Sequence, residues 1–108
     1  MSERISITGA GIICAIGNDS KSVLESLRSG KTGIGQMKYL ESRHSYLPVG
    51  EVQLSNGEMK QMLGITGDEP MSRTTLMGAI AIRQALEEAG LQDVKGKRVA
   101  LISGTTVG

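Results

Sequence analysis

Polar and apolar residues alternate with period two over Arg4-Ile5-Ser6-Ile7-Thr8 and then meet Gly9-Ala10-Gly11. This pattern predicts a first strand entering a glycine turn. The following Ile12-Ile13-Cys14-Ala15-Ile16 is apolar without a helical period and reads as buried, partly extended chain. Gly17-Asn18-Asp19 supplies turn and cap residues for a short amphipathic helix over residues 20–29. Val23, Leu24 and Leu27 share its inner face, and Gly30 ends it.

From Lys31 to Leu54 the pattern is poor, with one short strand predicted at Val49–Val52 in an otherwise ordered excursion. Ser55-Asn56-Gly57-Glu58 matches a capping box, which predicts a helix of about two turns with Met59, Met62 and Leu63 inward and Gly64 as its stop. Pro70 suits a first helical turn, and the longest helix is expected over Met71–Ala89, about 28 Å at 1.5 Å per residue. Leu76 to Ile82 is apolar nearly all round, so that part should lie in the interior. Arg83, Gln84, Glu87 and Glu88 mark a solvent side only in the last turns. Gly78, Ala79 and Ala81 leave room for a neighbouring backbone, and Gly90 closes the helix. The continuous apolar run Val99–Ile102 is expected to be a strand covered on both faces, and it runs into the glycine turn ending at Gly108.

Composition narrows the possibilities. With 108 residues, one domain at most fits, and with no Phe, no Trp and two Tyr the core must be built from Ile, Leu, Val, Met and Ala. Twelve basic residues against eleven acidic ones, scattered along the chain, suggest neither a nucleic-acid groove nor a membrane surface. No segment has signal-peptide character or the length to span a bilayer, and the single cysteine suits a reducing compartment. The expected location is therefore cytoplasmic.

Candidate chemistry is sparse. Gly9-Ala10-Gly11 begins like a dinucleotide-binding fingerprint, but Cys14 stands where the third glycine belongs. The next helix also starts too late to aim its amides at a pyrophosphate. Cys14 lies in an apolar run and reads as a small buried hydrophobe rather than a nucleophile. His44, the only histidine, sits between Arg43 and Ser45 as a solvated surface imidazole. One cysteine and one histidine do not make a zinc site, and Glu87 and Glu88 fall on the exposed side of their helix. The methionines at 59, 62 and 77 follow helical faces as core filler. No cofactor and no metal are expected.

Several segments in order carry a resemblance. Ile5-Ser-Ile-Thr-Gly-Ala-Gly11, Ile16-Gly-Asn18, Leu27-Arg-Ser-Gly-Lys-Thr-Gly-Ile34, Ser72-Arg73 with Ala85-Leu-Glu-Glu-Ala-Gly90, and Ile102-Ser-Gly-Thr-Thr-Val-Gly108 together resemble the beginning of a β-ketoacyl-acyl-carrier-protein synthase. The resemblance spans nearly the whole chain. It implies an α/β, thiolase-like layered fold with a mixed sheet and a buried helix, incomplete here, with residues 1–108 forming the N-terminal portion of one domain.

The resemblance further implies decarboxylative Claisen condensation of acyl and malonyl thioesters in fatty acid or related acyl-chain synthesis. Acyl carrier protein and a second copy of the enzyme, or the missing remainder of the chain, would be its partners. Such enzymes use one cysteine and two histidines that lie beyond the turn at residues 103–108, so neither Cys14 nor His44 corresponds to them, and no catalytic residue is expected in this chain. Val107 is the one position the resemblance places near substrate, at the border of the acyl channel. The chain alone is thus expected to be inactive. The alternative is a non-catalytic, synthase-like partner that shapes the acyl channel of a complete enzyme.

Overall fold

The computed structural model describes residues 3–107. In chain order its elements are α1 (Ser20–Ser29), β1 (Ile34–Gly35), β2 (Val49–Gly50), α2 (Asn56–Leu63) and α3 (Arg73–Glu88). Local chemistry sets the helix ends. Asp19 caps α1 by accepting the Ser22 amide, and Gly30, at φ 70°, closes it in the left-handed conformation. The Ser55 hydroxyl accepts the Glu58 amide at 3.1 Å while Glu58 accepts the Ser55 amide at 2.7 Å, so the expected capping box is formed.

α3 begins later than Pro70 suggested. Ser72, with extended backbone, accepts the Thr75 amide, and this cap starts the helix at Arg73 and leaves Pro70 outside. The strand expected over 49–52 shrinks to two residues, paired antiparallel with β1 in the register Ile34 to Gly50 and Gly35 to Val49.

The core forms where α2 crosses α3. Met59, Leu76 and Ile80 are fully buried, Val52 is nearly so, and Ile13, Leu54, Leu63, Ile65, Met71 and Met77 pack around them. Met62, expected inward, stays partly exposed. Its carbonyl instead accepts a hydrogen bond from the Arg83 guanidinium. α1 is seated through a buried polar contact: the Ser26 hydroxyl donates to the Ile16 carbonyl at 2.6 Å.

Much apolar surface stays open. Arg4–Thr8 and Val99–Ile102 join no β-ladder, and Ile5, Ile7 and Ile102 are 95%, 93% and 95% exposed. A strand needs a partner for its backbone groups and a surface to cover its apolar face, and the described residues supply neither for these two segments. Leu24 and Leu27 of α1 and Ile82 of α3 are also exposed, so α3 is an interior helix on part of its circumference only. The radius of gyration is 16.4 Å, against about 13 Å for a closed domain of similar length. The described residues therefore have an α/β composition of three helices and one two-stranded ribbon, without a mixed layered sheet among them.

Candidate functional site

The Gly9–Gly11 segment that begins like a nucleotide fingerprint forms no turn, the chain turning instead at Ala15–Ile16, and it has a packing role. Gly9 and Gly11 cross α3 so closely that a Cβ on Gly11 would lie 1.9 Å from the Ala81 carbonyl oxygen, and one on Gly9 would lie 2.1 Å from that of Ala85. Small residues on both sides permit the crossing. Polar side chains of α3 then hold the segment. Glu88 accepts the Ala10 amide at 2.9 Å and Gln84 accepts the Ile12 amide at 3.0 Å, while the Gln84 side-chain nitrogen donates to the Asn18 carbonyl at 2.6 Å. Gln84 and Glu88, assigned to solvent from the helical pattern, therefore face the N-terminal segment. Arg83, besides its bond to the Met62 carbonyl, pairs with Glu87 at 3.7 Å, both side chains being partly exposed.

A second feature brings Ser103–Thr105, near the end of the chain, against α3. Ser103, Gly104 and Thr105 face Thr74, Thr75, Gly78, Ala79 and Ile82 across a groove of about 480 Å³. Thr74, Gly78 and Ile82 are spaced by four residues and share one ridge of the helix. Apart from its chain neighbours and the local backbone of α3 itself, no described residue comes within 4 Å of where a Cβ on Gly78 would stand. The side chains that line the groove are aliphatic or hydroxyl-bearing. Val107 lies past this lining, 83% exposed, with its amide donated to the Thr105 hydroxyl at 3.2 Å.

The other sequence candidates are dispersed. Cys14 is half-buried in a tight backbone bridge with Gly17. His44 is exposed, its Nδ1 3.3 Å from the Tyr46 hydroxyl and its ring edge-on to Tyr46. Among the described residues no cluster of three or more His, Cys, Asp or Glu could hold a metal. No described helix is long and apolar enough to cross a membrane.

One polar centre was not apparent from the pattern. Glu51, just after β2, accepts the backbone amides of Lys38, Tyr39 and Leu40, and Arg73 stands nearby over the Tyr39 ring. The Lys38 amide is the chief reason its carboxyl sits below the usual 4.5, with the Leu40 and Tyr39 amides and the Arg73 charge adding to it. The only sequence signal was a lone acid within the short strand expected at Val49–Val52.

Two segments from opposite ends of the chain, Gly9–Gly11 and Ser103–Thr105, thus lie against the same small-residue helix. Residues 2–108 match the family described as "Beta-ketoacyl synthase, N-terminal domain", and the chain belongs to that family. Among its relatives are 3-oxoacyl-[acyl-carrier-protein] synthase 1 of Haemophilus influenzae, 32% identical over 97% of this chain and 26% of that protein, and the Escherichia coli K12 protein of the same name, 32% identical over 95% and 26%. Nodulation protein E of Rhizobium meliloti is 33% identical over all of this chain and 26% of its own length. The chain thus spans about a quarter of the length of the curated relatives it matches. No solved structure matches it.

Proposed function

We propose that this chain serves as the N-terminal scaffold of a β-ketoacyl-acyl-carrier-protein synthase, an acyltransferase that joins acyl and malonyl thioesters by decarboxylative Claisen condensation. The observation that carries this reading is the family match over residues 2–108, together with relatives named as 3-oxoacyl-[acyl-carrier-protein] synthases. The structure is consistent with a supporting role: small residues and buried aliphatics hold segments in place, and the groove lining contains no acid, base or nucleophile beyond hydroxyl groups. A condensing site needs an activated nucleophile in a dry cavity with amides aimed at the developing oxyanion, and rigid strands and helices must hold those parts in place.

In this reading the uncovered segments at Arg4–Thr8 and Val99–Ile102 become strands of a thiolase-like layered sheet once further chain pairs with them, and Val107 then borders the acyl channel. Acyl carrier protein is the substrate carrier, the working form is a cytoplasmic homodimer, and residues 1–108 are part of a single domain. The test assays product formation from acyl- and malonyl-acyl carrier protein. The 108-residue chain is expected to form no β-ketoacyl product, whereas a form whose coding frame is read on past Gly108 to a cysteine and two histidines is expected to form it. Turnover by residues 1–108 alone overturns the scaffold role, and an inactive extended form overturns the enzyme reading.

The exposed Ile5, Ile7 and Ile102 favour a second reading as well, a non-catalytic partner that pairs with a complete synthase and shapes its channel. Stoichiometric co-purification of this chain with a full-length synthase distinguishes it.

A further inference from the structure

The segment from Gln36 to Pro48 joins β1 to β2 with few attachments outside itself. Its amides at Lys38, Tyr39 and Leu40 converge on one side chain: Lys38 reaches Glu51 Oε2 at 2.7 Å, Tyr39 is shared between the two oxygens at 3.1 and 3.3 Å, and Leu40 reaches Oε1 at 2.7 Å. The Tyr39 ring carries the Arg73 guanidinium 5.2 Å from its centre. Arg73 in turn donates to the Val52 carbonyl at 2.7 Å and to Asn56 Oδ1 at 3.1 Å, tying the contact to the start of both α2 and α3. Beyond Leu40 the loop bonds to itself, Leu47 to the His44 carbonyl and His44 to the Ser42 hydroxyl. Its outer part presents Tyr46, Leu47 and Pro48 around a hollow of about 240 Å³ with Gly35 and Gln36.

An ionised carboxylate with its lone pairs spread over three successive amides replaces the missing strand ladder along this stretch, and charge-assisted bonds of this kind are stronger than neutral ones. We propose that Glu51 is a latch: its carboxylate holds the 37–48 loop down against the β1–β2 ribbon, and neutralising it releases the loop as one unit while the helical core stays folded. The division between loop and core follows from the connections, because Arg73 keeps its bonds to Val52 and Asn56 when Tyr39 leaves, and the Met59–Leu76–Ile80 cluster receives nothing from the loop. The charged and titratable groups at the latch are Arg73 from α3 and, on the loop itself, Lys38 and Tyr39. The inference does not depend on the condensing-enzyme reading.

Native-state hydrogen exchange on the 108-residue chain and its Glu51→Gln variant at pH 7 tests it. The amide oxygen of glutamine can replace only part of the carboxylate's bonding, so exchange at 38–40 is expected to accelerate on the order of tenfold, with α2 and α3 amides unchanged. Trypsin cleavage after Arg43 is expected to speed up in parallel. The proposal is overturned if exchange at 38–40 stays within about twofold of wild type, or if α2 and α3 accelerate to the same extent, which would make Glu51 a general stabilising group.

Discussion

Replacing Gly11 with alanine asks whether the Gly9–Gly11 segment is a packing device. The new Cβ would stand 1.9 Å from the Ala81 carbonyl oxygen and 2.8 Å from its carbon, both of them backbone atoms of α3 that cannot rotate away. Ordinary contact begins near 3.4 Å, so the segment must lift by about 1.5 Å. A shift of that size takes the Ala10 and Ile12 amides, now 2.9 and 3.0 Å from Glu88 and Gln84, out of hydrogen-bonding range. Overpacking of this kind costs about 1–3 kcal/mol. Two lost hydrogen bonds add about 1 kcal/mol each, less where water replaces them, so the total destabilisation is about 2–4 kcal/mol.

Gly78→Ala is the matched control. The same substitution within α3 meets open space, and relief of the glycine penalty should stabilise by about 0.5–1 kcal/mol. Urea unfolding of the 108-residue chain followed by far-ultraviolet circular dichroism reads both, and opposite signs are expected. A Gly11→Ala midpoint equivalent to less than about 0.5 kcal/mol from wild type would refute the close crossing.

Leu76→Ala removes a fully buried side chain from the α2–α3 contact and should cost about 2–5 kcal/mol in the same unfolding experiment; a smaller loss would mean that the cluster is not the core. Ser55→Ala deletes the α2 cap and should cost about 0.5–2 kcal/mol, with a measurable loss of helical signal. Asp19 is held below its usual 3.8, first by the Ser22 amide and then by the Ser22 side chain, and Glu51 below 4.5 by the Lys38 amide. Because each carboxyl binds its proton more weakly folded than unfolded, its contribution is complete above those usual values and is lost as pH falls through the folded ones. Melting temperature measured from pH 6 down to pH 3 should therefore fall less steeply in an Asp19→Asn variant than in wild type, and parallel curves would contradict the assignment; the Glu51 share belongs to the loop and not to the melting of the core.

The helices were legible to within a residue or two because their ends are set by neighbours. Asp19 and Ser22, Ser55 and Glu58, and the glycines at 30 and 64 act across three or four residues, and short-range hydrogen bonds of this kind are written in order along the chain. The family was legible too, since the spacing of strand, glycine turn and helix caps survives as a linear pattern, and the match over residues 2–108 agrees with it. The strands were legible only in part: the one expected over 49–52 forms at Val49–Gly50, whereas those expected at 4–8 and 99–102 pair with nothing among the described residues. Period-two alternation at 4–8 and the apolar run at 99–102 state what a strand would bury, but a strand also needs a partner edge, and no local signal supplies one.

The candidate site divides in the same way. The turn expected after Val99–Ile102 is not formed at Ser103–Thr105, and the place of these residues opposite Gly78 and Ile82 depends on how α3 is oriented in the fold. Gln84 and Glu88 were assigned to solvent by periodicity, yet they bind amides 72 and 78 positions away. Three amides converge on Glu51 from 11 to 13 positions away. Residue order encodes the bonds a short stretch of chain makes with itself. The meeting of Gly11 with Ala81, the latch at Glu51 and the exposure of Ile5, Ile7 and Ile102 depend on which distant surfaces packing brings together, and no periodicity of the chain records that.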